Sequence, residues 1–433
     1  MVKRIISSAL VMLCLLTCAY ALTPPDINAG AAILAELSSG EVLYEKNADA
    51  MMYPASTTKL VTAILAMEYG NPDDVITVNA SALAGLPERG SAVYLIAGEE
   101  MQFMDMLRYL LIGSGNDAAN AIAEHISGSQ TDFVALMNTK AKSIGCQNTH
   151  FANAHGLHED THYTCARDML LIAQYFMKNE TLAQIVAETA VTLPVTNKHA
   201  KTTTKYTTNH LLSPQSQAGY YYSGAIGIKT GTTTKAGLCL AAAFEKDDLT
   251  YYTVVLGASK DENGKLGNFS ETIKLFDYAA NNFSRQIMLN STEPITEVAV
   301  RLASDNREAV VLYPSSSISA LLPADFKTSD LELRCDTEES VDAPVAKGQA
   351  LGTLHVLYNG KEYGTLELVA NEDIQRSEIL YIMDRITAFF QSTVFRVIVG
   401  ALIALIVIFL AYAVIARRRR KRRRRYGGGK YRR

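Results

Sequence analysis

The chain has 433 residues, 20% of them charged, and a formal net charge of −3. Residues 417–433 hold twelve Lys/Arg and residues 1–21 two more, which leaves 27 Lys/Arg against 44 Asp/Glu elsewhere, about −17. A body that acidic excludes nucleic acid as its partner, and the length admits two domains with a sizeable core.

The first residues read as a secretory signal. Lys3 and Arg4 form a charged start, Ile5 to Thr17 is largely apolar, and Ala19-Tyr20-Ala21 supplies small residues for cleavage after Ala21. Cys14 and Cys18 would leave with residues 1–21. Cys146, Cys165, Cys239 and Cys335 remain, enough for two disulfides, but their spacing leaves the pairing open. Cys239 lies in an apolar run and reads as buried packing.

Residues 31–36 and 40–44 have the pattern of two short strands joined by a turn. A helix is expected from about Ala55, because Pro54 and Ser56 precede the apolar run Leu60–Met67. Residues 103–112 form a second amphipathic helix, broken at Gly113-Ser114-Gly115, and a third runs from about Asp117 to Ile126. Residues 151–163 are rich in turn formers, and a further helix starts near Thr164. From Gly227 the period changes to two, giving strands at 228–232, 237–244 and 250–256, then a closing helix over 268–283. These elements make one mixed α/β domain over 26–285, an antiparallel sheet with helices gathered against it. Short strand-like pieces over 290–370 predict a second domain, a small β-sandwich.

Val397 to Ala416 is twenty apolar residues without a charge, long enough to cross a bilayer. The basic run from Arg417 to Arg425 places the 417–433 tail in the cytoplasm by the positive-inside rule, so the body faces outward. A stop-transfer role explains the run most simply, although it also suits anionic lipid headgroups.

Three short patterns carry chemistry. Ser56-Thr57-Thr58-Lys59 places a hydroxyl and an amine on one face of a first helical turn. A serine attacks once its proton is removed, and a lysine kept neutral by burial or a nearby cation can remove it. Ser114-Gly115-Asn116 sits in a break between helices, where side chains can enter a cleft. Lys229-Thr230-Gly231 lies on a strand, with glycine allowing another backbone to come close. Ser-x-x-Lys and Lys-Thr-Gly occur once each, and a Ser-x-Asn lies between them at 114–116, giving the three in order on helix, loop and strand.

With these motifs the chain resembles the D-alanyl-D-alanine carboxypeptidases among the low-molecular-weight penicillin-binding proteins, over roughly residues 26–370. The segments 53–56, 153–157, 164–168 and 236–239 add to the likeness. The resemblance implies a penicillin-binding, β-lactamase-like transpeptidase fold. It implies that Ser56 is acylated, that Lys59 is its base and that Ser114 relays a proton to the leaving D-alanine. Asn116 would hold the substrate amide, and Lys229, Thr230 and Thr232 would meet the terminal carboxylate, with Gly231 between them. The backbone N–H groups of Ser56 and Thr232 would form the oxyanion hole. The implied substrate is a peptidoglycan stem peptide ending in D-Ala-D-Ala, with β-lactams as inhibitors and no cofactor or metal. The chain departs from some relatives in having Thr208 before Asn209 where they carry Arg, and in ending on a full span where many have an amphipathic anchor.

Other readings compete. The stretch His158–His162 matches the zinc-peptidase pattern H-E-x-x-H, but that chemistry needs a helix, and the stretch reads as loop. Ser304-Asp305-Asn306 fits the second motif by letter but follows the third, and reads as a turn. A β-lactamase would need a Glu-activated water, and no convincing Glu-bearing loop lies between Ser114 and Lys229. A non-enzymatic penicillin sensor would have no need of the full motif set.

Overall fold

A computed structural model describes residues 23–87, 94–216, 218–305 and 307–426, with side chains described as far as Lys421. The expected signal at 1–21, Asn306 of the Ser304 turn and the end of the tail lie outside the described residues. The chain divides into two compact units. One runs to Gln286 and includes Leu321–Phe326; the other comprises Ile287–Ala320 and the chain from Lys327 onward.

The first unit is built on a five-stranded antiparallel sheet. Its strands are β1 (Ala31–Glu36), β2 (Val42–Lys46), β3 (Ala225–Thr233), β4 (Gly237–Lys246) and β5 (Leu249–Ala258), in the order β2-β1-β5-β4-β3. The β4–β5 hairpin closes on Asp247 and Asp248, with Lys246 paired to Leu249. Both aspartates have positive φ, 52° and 60°, as a two-residue turn matching the strand twist requires. Alternate side chains feed two cores. Ile33, Ala241, Ala243 and Val254 face one, while Leu34, Leu240, Phe244 and Val255 face the other. With both faces covered, β1, β4 and β5 are apolar almost throughout, which makes them legible as strands.

The helix Gly267–Asn282 covers the second face through Leu275, Phe276 and Ala279. The first face is covered by a helical layer around the central helix Lys59–Tyr69, in which every residue from Lys59 to Ala66 is buried. A helix apolar all round belongs in an interior. Its one cation there is Lys59. The expected helical start at Ala55 is instead a 3-10 turn, Ala55–Thr58. Ala55 has φ +49°, and the hydroxyls of Thr57 and Thr58 donate back to Pro54 O at 2.7 Å and Ala55 O at 2.8 Å. Those local bonds compete with regular helix and tighten the turn.

Helices Phe103–Leu111, Asn116–Ser127 and Ala166–Met177 match the expected pattern to within a residue or two, the last capped by Cys165. Helices Gln130–Ile144 and Glu180–Ala187 and the hairpin Ala190–Leu193 with Thr203–Tyr206 were not anticipated. Cys146, Cys165, Cys239 and Cys335 are free thiols, and Cys239 is fully buried.

The second unit holds a six-stranded sheet. Its strands run Leu331–Thr337, Ala350–Tyr358, Lys361–Ala370, Ala309–Pro314, Thr296–Arg301 and Ser340–Asp342, antiparallel except for the last pair. Val298, Val310, Leu312, Leu354, Val356 and Leu368 are its buried side chains. An amphipathic helix, Glu378–Gln391, follows and leaves Ile382, Ile386 and Phe390 exposed. The chain ends in helix Thr393–Tyr426, whose segment Thr393–Lys421 is long and apolar enough to cross a membrane.

Candidate active site

The 3-10 turn presents Ser56 beside the edge strand β3. They approach closely because position 231 is glycine: a Cβ there would stand 2.9 Å from Pro54 O and 3.0 Å from Ser56 N. A second contact seats the turn from the other side. A Cβ at Gly156 would stand 1.9 Å from Ala55 O, so the 153–157 loop also lies directly on it.

Lys59 Nζ lies 3.0 Å from Ser56 Oγ, 2.7 Å from Asn116 Oδ1 and 2.7 Å from the carbonyl oxygen of His155. Lys59 is fully buried. Burial, and then the charge of Lys229, hold its amine well below the usual lysine range, against the opposing pull of Asp117. A neutral amine has two protons and one lone pair. Two of its neighbours, an amide oxygen and a backbone carbonyl, can only accept. In the neutral form they would take both protons and leave the lone pair for the Ser56 hydroxyl.

Ser114 faces the same space from the break between helices, with φ +58°. Strained backbone of this kind is stored where surrounding structure holds it. Lys229 Nζ contacts Ser114 Oγ at 3.1 Å and Thr230 O at 3.2 Å. Burial pushes the Lys229 amine down to about 7. The Thr208 and Thr230 hydroxyls, both lining the cleft, hydrogen-bond to each other. Ser56, Ser114, Thr230, Gly231 and Thr232 all line a cleft of about 330 Å³. Lys59, Asn116 and Lys229 stand behind its wall, so all eight residues singled out in the sequence come together.

The loop 153–157 supplies what side-chain reasoning missed. Its Ala154 O accepts from Thr62 Oγ1 at 2.6 Å and its His155 O accepts from Lys59, tying the loop to the central helix. The H-E-x-x-H stretch is loop. Ala152 N–H donates to His162 Nδ1 at 3.0 Å, so the ring proton sits on Nε2 and is given to Thr58 Oγ1 at 2.8 Å. His162 therefore buttresses the Ser56 turn. Burial pushes its imidazole down to about 3, with smaller contributions from His150, Lys59 and His158. Asp168 accepts from Asn148 N and Thr149 Oγ1, both at 2.7 Å, and orders the chain leading into this loop.

A family profile described as D-alanyl-D-alanine carboxypeptidase matches residues 19–260, and one described as penicillin-binding protein 5, C-terminal domain, matches 288–376. The D-alanyl-D-alanine carboxypeptidase DacF of Bacillus subtilis is 32% identical, over 88% of this chain and 97% of its own length. DacC of Escherichia coli is also 32% identical, over 81% of this chain and 85% of its own. Among solved structures, penicillin binding protein 5 from Haemophilus influenzae aligns with a TM-score of 0.59 at 29% identity, covering 82% of this chain and 100% of that one. The Streptomyces K15 DD-transpeptidase aligns with a TM-score of 0.54 at 31% identity, over 59% of this chain and 98% of that one.

Proposed function

This chain belongs to the D-alanyl-D-alanine carboxypeptidase family, and from that premise we propose that it removes the terminal D-alanine from peptidoglycan stem peptides through an acyl-Ser56 intermediate. The observation that carries the reading is the position of Lys59 Nζ, within 3.0 Å of Ser56 Oγ and 2.7 Å from each of two groups that can only accept, Asn116 Oδ1 and His155 O.

In the proposed cycle Lys59 takes the Ser56 proton as Oγ attacks the carbonyl carbon of the penultimate D-alanine. The oxyanion is stabilised by the Ser56 and Thr232 backbone N–H groups, a role supported by the close passage of β3 past Ser56 N at Gly231. The terminal carboxylate lies against the Thr208 and Thr230 hydroxyls, with Lys229 behind them. Thr208 stands where some relatives carry Arg, so this end offers hydroxyls at its surface and a cation one layer deeper. As the C–N bond breaks, Ser114 passes a proton to the departing amine, with Lys229 on its far side. Asn116 orients Lys59 and the substrate amide. Water then releases the shortened peptide and restores Ser56. Penicillin, an acylating mimic, would stop at the acyl stage.

The proposed setting is the outer face of a membrane. The signal at 1–21 exports the body, the 393–421 helix spans, and the basic tail stays in the cytoplasm. No cofactor or metal is required. Labelling by fluorescent penicillin tests the assignment: the parent chain is expected to label and Ser56→Ala to remain dark, whereas a labelled Ser56→Ala chain would remove Ser56 from the role.

A further inference from the structure

No motif includes Tyr109, yet its ring lies against the Gly113-Ser114-Gly115 break. It sits near the end of helix Phe103–Leu111 and is 1% exposed. A Cβ at Gly113 would stand 2.7 Å from ring atom Cδ2, and a Cβ at Gly115 would stand 2.7 Å from Cε1. Those atoms belong to opposite edges of the ring, so the backbone crosses it from one side to the other with Ser114 at the middle. Neither glycine is in the left-handed region, and Gly115 has φ −58°. They are glycine to make room for the ring. The left-handed residue is Ser114 itself, at φ +58°, a conformation that persists where surrounding structure imposes it.

The ring is held in turn by its own neighbours. Its hydroxyl donates to Asp117 Oδ2 at 3.4 Å, and Asp117 also accepts from Leu95 N at 2.7 Å and Ala118 N at 2.9 Å. Tyr94 packs edge-on with centroids 6.1 Å apart, and Lys205 Nζ stands 5.9 Å from the ring centroid. Asp117 belongs to the first turn of helix Asn116–Ser127, so the ring bridges the helix before Ser114 and the helix after it. The Ser114 hydroxyl has Lys229 Nζ, at 3.1 Å, as its one hydrogen-bond partner among the described residues. One contact to a long side chain leaves the direction of that hydroxyl to the backbone, and the backbone follows the ring.

We propose that Tyr109 is a positioning residue, whose ring imposes the left-handed turn at Ser114 and so aims the Ser114 hydroxyl at the nitrogen that leaves. The inference rests on the carboxypeptidase reading, in which Ser114 hands a proton to the departing amine, and names what holds that donor. Without the ring, Ser114 is free to relax to a negative φ, which moves its hydroxyl from Lys229. The step that suffers is the one that needs the donor. An amide nitrogen must gain a proton as its C–N bond breaks, because an amide anion is too basic to leave. A thiolate leaves with the electron pair of the C–S bond and needs no proton.

The test compares two stem peptides, one ending in D-Ala-D-Ala and one with D-thiolactate in place of the last residue. Both present the same carbonyl carbon and the same terminal carboxylate. Full-length protein in detergent is used, and each variant is first labelled with fluorescent penicillin to report a folded site. Tyr109→Leu should lose about 10²-fold in kcat/KM on the amide, the usual cost of a 1 Å misplacement, and less than about tenfold on the thioester. Tyr109→Phe keeps the ring and should hold the parent's amide-to-thioester ratio to within about twofold, because a 3.4 Å hydroxyl contact is longer than an ordinary hydrogen bond. Gly115→Ala presses a methyl onto the ring while leaving Tyr109 in place, and should lower the ratio as Tyr109→Leu does. It decides the matter if Tyr109→Leu fails to label. Amide and thioester rates that fall together in the labelled variant overturn the proposal, as does a Tyr109→Phe chain that loses the ratio as fully as Tyr109→Leu. Parent protein that labels yet releases no D-alanine overturns the carboxypeptidase reading and the positioning role with it.

Discussion

Asn116 Oδ1 stands 2.7 Å from Lys59 Nζ and, with His155 O, holds the amine beside Ser56. An amide oxygen accepts without adding charge, so the amine can be neutral beside it. Asn116→Asp would place a carboxylate there and hold Lys59 protonated. Acylation by penicillin should fall about 10²–10⁴-fold, the usual worth of a general base, with little change in Tm. Stopped-flow acylation and a thermal melt measure the two. A variant that acylates at the parent rate would show that Lys59 is not the base.

Gly231→Ala brings a methyl against Pro54 O and Ser56 N, both backbone atoms that cannot swing aside. Either β3 or the turn must shift, at a cost of about 1–3 kcal/mol in stability. Because the shift occurs at the proposed oxyanion hole, acylation should drop by at least about tenfold, beyond what the loss of stability explains. Urea denaturation and penicillin acylation, measured on the same preparation, separate the two effects.

His162 sets a pH dependence on stability. Its folded value of about 3 lies below the unfolded histidine value near 6.5, so between these limits the unfolded chain binds the extra proton. The folded state is therefore penalised as pH falls from about 6.5 toward 3, by up to about 1.4 kcal/mol per pH unit from this group. His155, pushed down to about 3 by burial, Lys59 and His162, has the same sign. In His162→Gln the stability difference from the parent should be largest at pH 7 and shrink toward pH 4. Urea midpoints across that range test it, and a difference that grows on acidification would contradict the buried neutral histidine.

The terminal helix predicts where the protein is found. A chain truncated before Thr393 loses the 29-residue candidate span and should shift from the membrane pellet toward the soluble fraction. The helix Glu378–Gln391, with Ile382, Ile386 and Phe390 exposed, remains in that truncation and should leave a salt-resistant residue on vesicles. Ultracentrifugation with and without vesicles reads both fractions.

Much of the site was legible because its chemistry is local. Ser56 and Lys59 share one turn, and Lys229 to Thr232 share one strand, so spacing alone brought each group together. Strands β1, β4 and β5 were legible because two buried faces make them nearly continuously apolar. What stayed hidden depended on backbone. The 3-10 geometry at Ala55 comes from hydroxyl back-bonding, and the His155 carbonyl that takes a Lys59 proton has no side-chain signature. Helix Gln130–Ile144 buries only Phe133, Met137 and Ala141, too thin a stripe to announce itself.

The most direct measurement is D-alanine release from a pentapeptide ending in D-Ala-D-Ala, by the full-length chain and by Ser56→Ala. Release by the parent alone, with one D-alanine freed per peptide, is the predicted result. A parent that binds penicillin stoichiometrically and holds it for hours but frees no D-alanine would contradict the account and leave a penicillin sensor. Rapid turnover of penicillin in place of D-alanine release would contradict it equally, in favour of a β-lactamase.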